Sequence, residues 1–313
     1  MQRPWTRREM LGIGVAALGA AMEVGAMTHA EGRPKAGGFR FCLNTSTIMG
    51  QKLGLVEEVE IAAKAGYVAI EPWINEIEKY VEGGGSLKDL HKRIADHGLE
   101  VASGIGFAEW IVDDPERRKK GLEVAKRDMD LLAQIGGKRL AAPPAGATEQ
   151  ADLNLAAAAE RYHALCELGD SLGVVPMVEV WGFSKALTRL GEAALVAIES
   201  GHPKACVLAD VYHLYKGGSP LTGLKLLTRT AINHFHLNDY PALPQATITD
   251  ADRVYPGDGV GHLTELFHLL HDMGHEGSLS IELFNKEYWQ HDALTVAKTA
   301  LEKARAIAQK SLG

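Results

Sequence analysis

Four apolar runs in the second half of the chain each carry a side chain that can hold a metal ion or move a proton. They read Val178-Glu179-Val180-Trp181, Leu208-Ala209-Asp210-Val211-Tyr212-His213, His234-Phe235-His236-Leu237-Asn238-Asp239 and Ser280-Ile281-Glu282-Leu283-Phe284. An earlier run ends in Glu71. A carboxylate in an apolar run is costly to bury unless a cation compensates it. Three carboxylates and an imidazole meeting at one place would repel one another, and a divalent metal is the simplest compensation. The set Glu179, Asp210, His236 and Glu282 is rich in oxygen with one nitrogen. That suits Mn²⁺, Mg²⁺ or Co²⁺ better than a structural zinc, which favours Cys and His. Taken singly, each residue has a plainer reading. Glu179 or Glu282 could pair with a neighbouring Arg or Lys, and one of His234 and His236, two apart on one side of a strand, could be a core histidine or one that supports a ligand from behind. Asp210 could cap a helix, although no helix pattern begins directly after it. The joint occurrence on four successive runs favours the metal.

These residues need a frame that brings strand ends together. Short runs rich in Val, Ile, Leu and Ala alternate with longer amphipathic stretches from residue 39 onward. Strands are expected at 39–44, 67–71, 100–104, 139–142, 174–180, 205–209, 232–237 and 278–283. Helices are expected at 53–65, 87–97, 115–135, 153–172, 185–200, 221–230, 263–273 and 292–309, several stopping at glycine, as at Gly66, Gly98, Gly173 and Gly274. Strands buried on both faces read as continuous apolar runs, as in a parallel sheet. Eight strand–helix repeats predict a single (β/α)₈ TIM barrel over residues 31–313, whose chemistry sits at the C-terminal strand ends. A doubly wound sheet would show a glycine-rich loop after the first strand, and Asn44-Thr45-Ser46-Thr47 has none. The irregular stretch 238–262 is too long for a plain connection and reads as a functional loop.

Composition narrows the partners. The 313 residues carry 33 Lys+Arg against 40 Asp+Glu, a net charge of −7, which disfavours nucleic acid. Hydrophobic residues at 46% allow a large core. No apolar run is long enough to span a bilayer. Cys42, Cys166 and Cys206 show neither metal spacing nor an even pairing. Residues 1–30 begin with Arg7-Arg8, followed by a chargeless stretch from Met10 to Met22 and then Thr28-His29-Ala30. That is a signal-peptide pattern of the twin-arginine type, so a periplasmic or secreted protein is expected.

From about residue 39 to 308 the chain resembles the xylose-isomerase-like TIM barrels, in the branch of ketose 3-epimerases, hydroxypyruvate isomerases and inosose dehydratases. The carriers are Ala65-Gly66-Tyr67-Val68-Ala69-Ile70-Glu71, Glu179, Asp210-x-x-His213, His236, Arg253-x-x-Pro256-Gly257-x-Gly259 and Glu282. The resemblance implies one divalent metal on Glu179, Asp210, His236 and Glu282, with Mn²⁺ first and Mg²⁺, Co²⁺ or Zn²⁺ also compatible. It implies that Glu179 and Glu282 move the proton and that His213 and Arg253 contact substrate oxygens. Glu71, Trp181 and Lys185 are further candidate substrate contacts, and Trp73, Trp110 and Trp181 could form an apolar wall. Epimerases of this group carry a glutamate six residues beyond the strand-five ligand, where this chain has Lys185. Most relatives are also cytosolic.

The chemistry expected of such a site is proton transfer beside a sugar carbonyl through an enediolate. Loss of a β-hydroxyl from the same anion would instead make a dehydratase or lyase acting on an inosose or keto-glycoside. An exported enzyme meets few sugar phosphates, so a non-phosphorylated carbohydrate is the expected partner. A homo-oligomer is compatible with the resemblance. A DNA-repair-type nuclease would need more histidines and a basic groove, and a non-catalytic exported sugar-binding barrel would not need the full ligand set.

Overall fold

The structure is a computed structural model and describes residues 38–313. The expected export segment, 1–30, lies outside the described residues.

Nine parallel strands form a nearly closed barrel: β1 (Arg40–Asn44), β2 (Ala69–Glu71), β3 (Glu100–Val101), β4 (Gly104–Ile105), β5 (Arg139–Ala142), β6 (Val175–Glu179), β7 (Val207–Asp210), β8 (His234–Leu237) and β9 (Ser278–Ile281). Their order is β3-β2-β1-β9-β8-β7-β6-β5-β4. The expected third strand is broken at Ala102-Ser103, so its halves pair with different neighbours. The seam is bridged where Ile105 N–H donates to the Pro72 carbonyl at 3.1 Å and Trp73 pairs with Ile105.

Around the barrel run α1 (Leu55–Ala65), α2 (Ile74–Glu82), α3 (Leu87–Asp96), α4 (Pro115–Gln134), α5 (Leu155–Leu172), α6 (Leu190–Glu199), α7 (Val211–Lys216), α8 (Leu263–Asp272) and α9 (Ala293–Leu312). Their ends follow local chemistry. Asp114 accepts two backbone N–H groups ahead of Pro115 at the start of α4, and Asn154 does the same for α5. Gly66 and Gly173 close α1 and α5 in the left-handed conformation.

Three expectations change. The helix expected at 221–230 is a 3-10 turn, Leu221–Leu226. The helix expected from 185 starts at Leu190, because Leu187 takes a left-handed conformation that breaks the helix. A helix does begin directly after Asp210: Asp210 caps α7, its Oδ1 accepting His213 N–H at 2.8 Å.

Most of the apolar core lies between strands and helices. The barrel interior is filled by two smaller clusters, one of Cys42, Ala69 and Ala102, the other of Ile105, Ala141, Met177, Cys206 and Leu208. Strand side chains alternate between faces with a period of two. Two residues beyond Cys42, Ala69, Met177, Leu208, His234 and Ser280 stand Asn44, Glu71, Glu179, Asp210, His236 and Glu282. The inner packing layer therefore carries a polar layer one step nearer the C-terminal mouth.

Candidate active site

The polar layer converges on His236, which is fully buried. Its Nδ1 lies 3.2 Å from Glu282 Oε2 and 3.8 Å from both Asp210 Oδ2 and Glu179 Oε1, and makes no hydrogen bond. β6, β7, β8 and β9 are successive neighbours, so the four side chains come from one arc of the wall. Register places Asp210 beside His236 and His236 beside Ser280.

Arg253 enters from the loop after β8. Its Nη1 donates to Asp210 Oδ2 at 2.8 Å and Glu282 Oε2 at 2.7 Å, and its Nη2 reaches Asp250. The guanidinium lies between the rings of Tyr212 and Phe284, 4.5 and 5.0 Å from their centroids. Arg253 Nε is buried without a partner.

The loop is held by a residue to which the sequence assigned no role. The Asp239 carboxylate accepts backbone N–H from Tyr240, Gly257, Gly259 and Gly261 at 2.8–3.0 Å. Asp239 and Val254 also exchange backbone hydrogen bonds, which fixes Arg253 at the site. A Cβ on Gly259 would stand 2.3 Å from the Tyr240 carbonyl, so the motif needs glycine there. Asn238 Nδ2 donates to Asp210 Oδ2 at 2.9 Å. These acceptors follow an apolar strand as Asn238-Asp239, and the glycines spaced two apart were the available signal.

The carboxyl groups are not electrostatically equivalent. Burial pushes the Glu179 pKa up to about 8, with Glu282 and Asp210 adding to it against His236. Burial also raises Glu282, but His236 and Arg253 outweigh it and hold that group below its ordinary value. Burial lowers His213 to about 3, helped by the Arg253 cation and opposed by Asp210. His213 Nε2 lies 3.2 Å from Arg253 Nη2.

A cavity of about 260 Å³ opens onto this cluster. Glu179, His213, Arg253 and Glu282 line it together with Trp73, Phe107, Trp181, Phe183 and Phe284. The aromatic rings form a continuous arc, with successive centroids 5.1–6.1 Å apart.

Three expected contacts are not brought to this cavity. Lys185 points outward and pairs with Glu149 at 2.9 Å, since the helix begins five residues later. Trp110 is buried behind the wall, donating to the Pro143 carbonyl and packing on Tyr162. Glu71 is fully buried behind His236, away from the cavity, where it accepts from His234 Nε2 at 2.9 Å and His236 Nε2 at 3.1 Å.

The donor set fits a divalent cation. Asp210, His236 and Glu282 present ligand atoms all within 4.8 Å of one another, and Glu179 stands next to them. The unpartnered Nδ1 of His236 is a buried nitrogen aimed at three carboxyl groups. Arg253 alone does not balance them.

The chain belongs to the xylose isomerase-like TIM barrel family, whose profile matches residues 59–307. It is 25% identical over 276 residues to an inosose isomerase of Bacillus velezensis, covering 87% of this chain and 98% of that one. It is 24% identical over 233 residues to a 3-dehydroshikimate dehydratase of Pseudomonas aeruginosa, covering 74% of this chain and 36% of that one. Among solved structures, the IOLI protein with a bound zinc atom superposes with a TM-score of 0.81 at 22% identity, over 88% of this chain and all of the other. Among the described residues, no helix is long and apolar enough to cross a membrane.

Proposed function

We propose that this chain is an exported, divalent-metal-dependent isomerase or epimerase that moves a proton beside the carbonyl of a non-phosphorylated keto-sugar or cyclic polyol ketone. The observation that carries the reading is the convergence of Glu179, Asp210 and Glu282 on the unpartnered Nδ1 of His236. The inosose isomerase relative, and the zinc held by the IOLI protein, support the substrate class and the cation.

A bound divalent ion would polarise a carbonyl and its neighbouring hydroxyl and so acidify the hydrogen beside them. Glu282 and Glu179 sit at the ends of strands that flank β7 and β8, so a substrate between them has one carboxyl group on each side. One removes the proton and the other returns it, which inverts the carbon when the faces differ. His213 and Arg253 both line the cavity and would hold substrate oxygens. The aromatic arc offers flat apolar surface to a sugar ring's C–H face. Among the described residues, Arg253 is, apart from His213, the one basic side chain lining the cavity, and its Nη atoms are already engaged by carboxylates. That pattern favours a neutral substrate over a phosphate.

The dehydratase relative supports a second outcome at the same site: after the proton leaves, a β-hydroxyl departs and a double bond forms.

The test is NMR in D₂O of protein supplied with Mn²⁺, the metal being removed before recording. Free ketoses, inososes and 3-keto-glycosides form the panel, and Glu282→Gln is the control. Deuterium beside the carbonyl with wild type alone is the expected result, and the product signals separate epimerisation from elimination. Full exchange by Glu282→Gln would remove the two-glutamate scheme. Export is checked by replacing Arg7 and Arg8 with Lys, which should strand the protein in the cytoplasm.

A further inference from the structure

Behind the proposed metal ligands lies a second buried polar group that the proton-transfer scheme does not use. Glu71, His234 and Asn44 are all almost fully buried and do not line the cavity. Glu71 Oε2 faces His236 Nε2 at 3.1 Å and Glu71 Oε1 faces His234 Nε2 at 2.9 Å. Asn44 Nδ2 donates to Glu71 Oε2 at 3.0 Å and to Glu282 Oε1 at 3.2 Å. Asn44 Oδ1 in turn accepts from Trp73 Nε1 at 3.1 Å and Ser46 N–H at 2.9 Å.

We infer that Glu71 is a positioning residue for His236, and that His234 and Asn44 hold Glu71 in place to do it. The logic is that of ring-nitrogen bookkeeping. A carboxylate accepts and does not donate, so a hydrogen bond to Glu71 requires a proton on His236 Nε2. Nδ1 is then the ring nitrogen left to face Glu179, Asp210 and Glu282. A carboxylate behind a ligating imidazole fixes the tautomer and ring angle and strengthens the ligand. Glu71 would swing without a second anchor, and His234 supplies it from the same face of β8, two residues before His236. Asn44 joins Glu71 to Glu282, so one amide sets two members of the ligand set.

The same three side chains could be read as a second metal site, because Glu71, His234 and His236 present clustered ligand atoms. The bonding argues against that. Each Glu71 oxygen already faces a ring nitrogen at hydrogen-bond length, and Oε2 also takes the Asn44 amide.

The inference rests on the metal reading for one of its readouts and is independent of it for the other. In metal-free, ¹⁵N-histidine-labelled protein, NMR should show solvent-protected Nε2–H signals for both His234 and His236. Glu71→Gln should abolish the His234 signal's protection and weaken the contact to His236, because an amide offers one acceptor oxygen and the Asn44 donor keeps that oxygen on the His236 side. The same variant should bind Co²⁺ or Mn²⁺ about 10–100-fold more weakly by titration calorimetry, with a changed Co²⁺ absorption spectrum. His234→Gln, which keeps a donor for Glu71, should stay near wild-type affinity. His234→Leu should weaken it and serves if Glu71→Gln does not fold.

A His236 ring with bare Nε2 in the wild type would overturn the inference. So would unchanged metal affinity in Glu71→Gln, or two ions per chain with one lost in His234→Leu. If the wild type binds no divalent ion, the proposed function falls. The two Nε2–H signals in the wild type and the loss of the His234 signal in Glu71→Gln then decide this inference on their own.

Discussion

Replacing Asp239 with Asn should loosen the loop that carries Arg253 while leaving the barrel intact. The carboxylate is buried, and each oxygen accepts two backbone N–H groups: Oδ1 those of Tyr240 and Gly261, Oδ2 those of Gly257 and Gly259. In Asn one oxygen becomes NH₂, so two backbone donors lose their acceptor and meet another donor. The amide will keep its oxygen toward Tyr240 and Gly261, because Tyr240 and Gly261 are buried whereas Gly257 is exposed and Gly259 half-buried. A buried unsatisfied donor costs about 1–3 kcal/mol. With water rescuing Gly257, the net cost is set by Gly259, about 2 kcal/mol on the same scale. That is roughly a thirtyfold rise in local opening, since each 1.4 kcal/mol is a factor of ten. Amide hydrogen exchange is the assay. The Gly257 and Gly259 amides should exchange roughly thirtyfold faster, Gly261 and Tyr240 much less, and amides of β8 and β9 not at all. Unchanged protection at Gly259 would refute the reasoning, as would equal loss at all four amides.

Asp128 sits almost fully buried in α4 beside Arg127, and burial raises its pKa to about 6, with Glu78 adding to it and Arg127 opposing. The folded chain therefore holds a proton that the unfolded chain has released between about pH 4 and 6, and stability falls as pH rises through that window. Asp128→Asn should remove that loss, of order 3 kcal/mol above pH 6, and a urea-denaturation series at pH 4 and pH 8 reads it. Phe183 is 47% exposed on the cavity rim, and Phe183→Ala should raise KM about two- to tenfold with kcat little changed if sugar C–H groups stack on the arc. Lys185→Ala should leave KM unchanged, because that side chain pairs with Glu149 at the surface; a KM shift would place it at the substrate after all.

The barrel was legible because its strands are buried on both sides and stand out as apolar runs between amphipathic stretches. All the strand runs correspond to observed strands, with the third split in two. Two helices escaped for opposite reasons. α7, Val-Tyr-His-Leu-Tyr-Lys, is six residues long and buried over its first four, so it shows no polar face to mark its period. α2, Ile-Asn-Glu-Ile-Glu-Lys-Tyr-Val-Glu, is amphipathic but follows β2 after two residues and precedes α3 closely. It was absorbed into the connection between strand and expected helix. The 3-10 turn at Leu221–Leu226 failed in the other direction, since Thr222-Gly223 and the low count of buried residues leave little to hold a full helix.

The site was legible to the same depth and no further. A period of two tells which face of a strand a residue occupies, and it was the position at strand ends that brought Glu179, Asp210, His236 and Glu282 to one mouth. The period does not tell how high in the barrel a residue stands, because that depends on stagger between strands. Glu71 pairs in register with Asn44 at the top of β1, yet it faces Nε2 of His236 and does not line the cavity. One of His234 and His236 is expected from the sequence to be a core or supporting histidine, and His234 is the one buried in the inner packing layer that Cys42, Met177 and Leu208 fill elsewhere. A histidine in that layer needs a partner, and a glutamate that cannot reach water needs two donors. The two demands meet in a single contact, and its other end is the ring that the cavity carboxylates surround. A polar residue buried away from the cavity is thus informative in its own right, since the partners that offset the cost of burying it lead to the site.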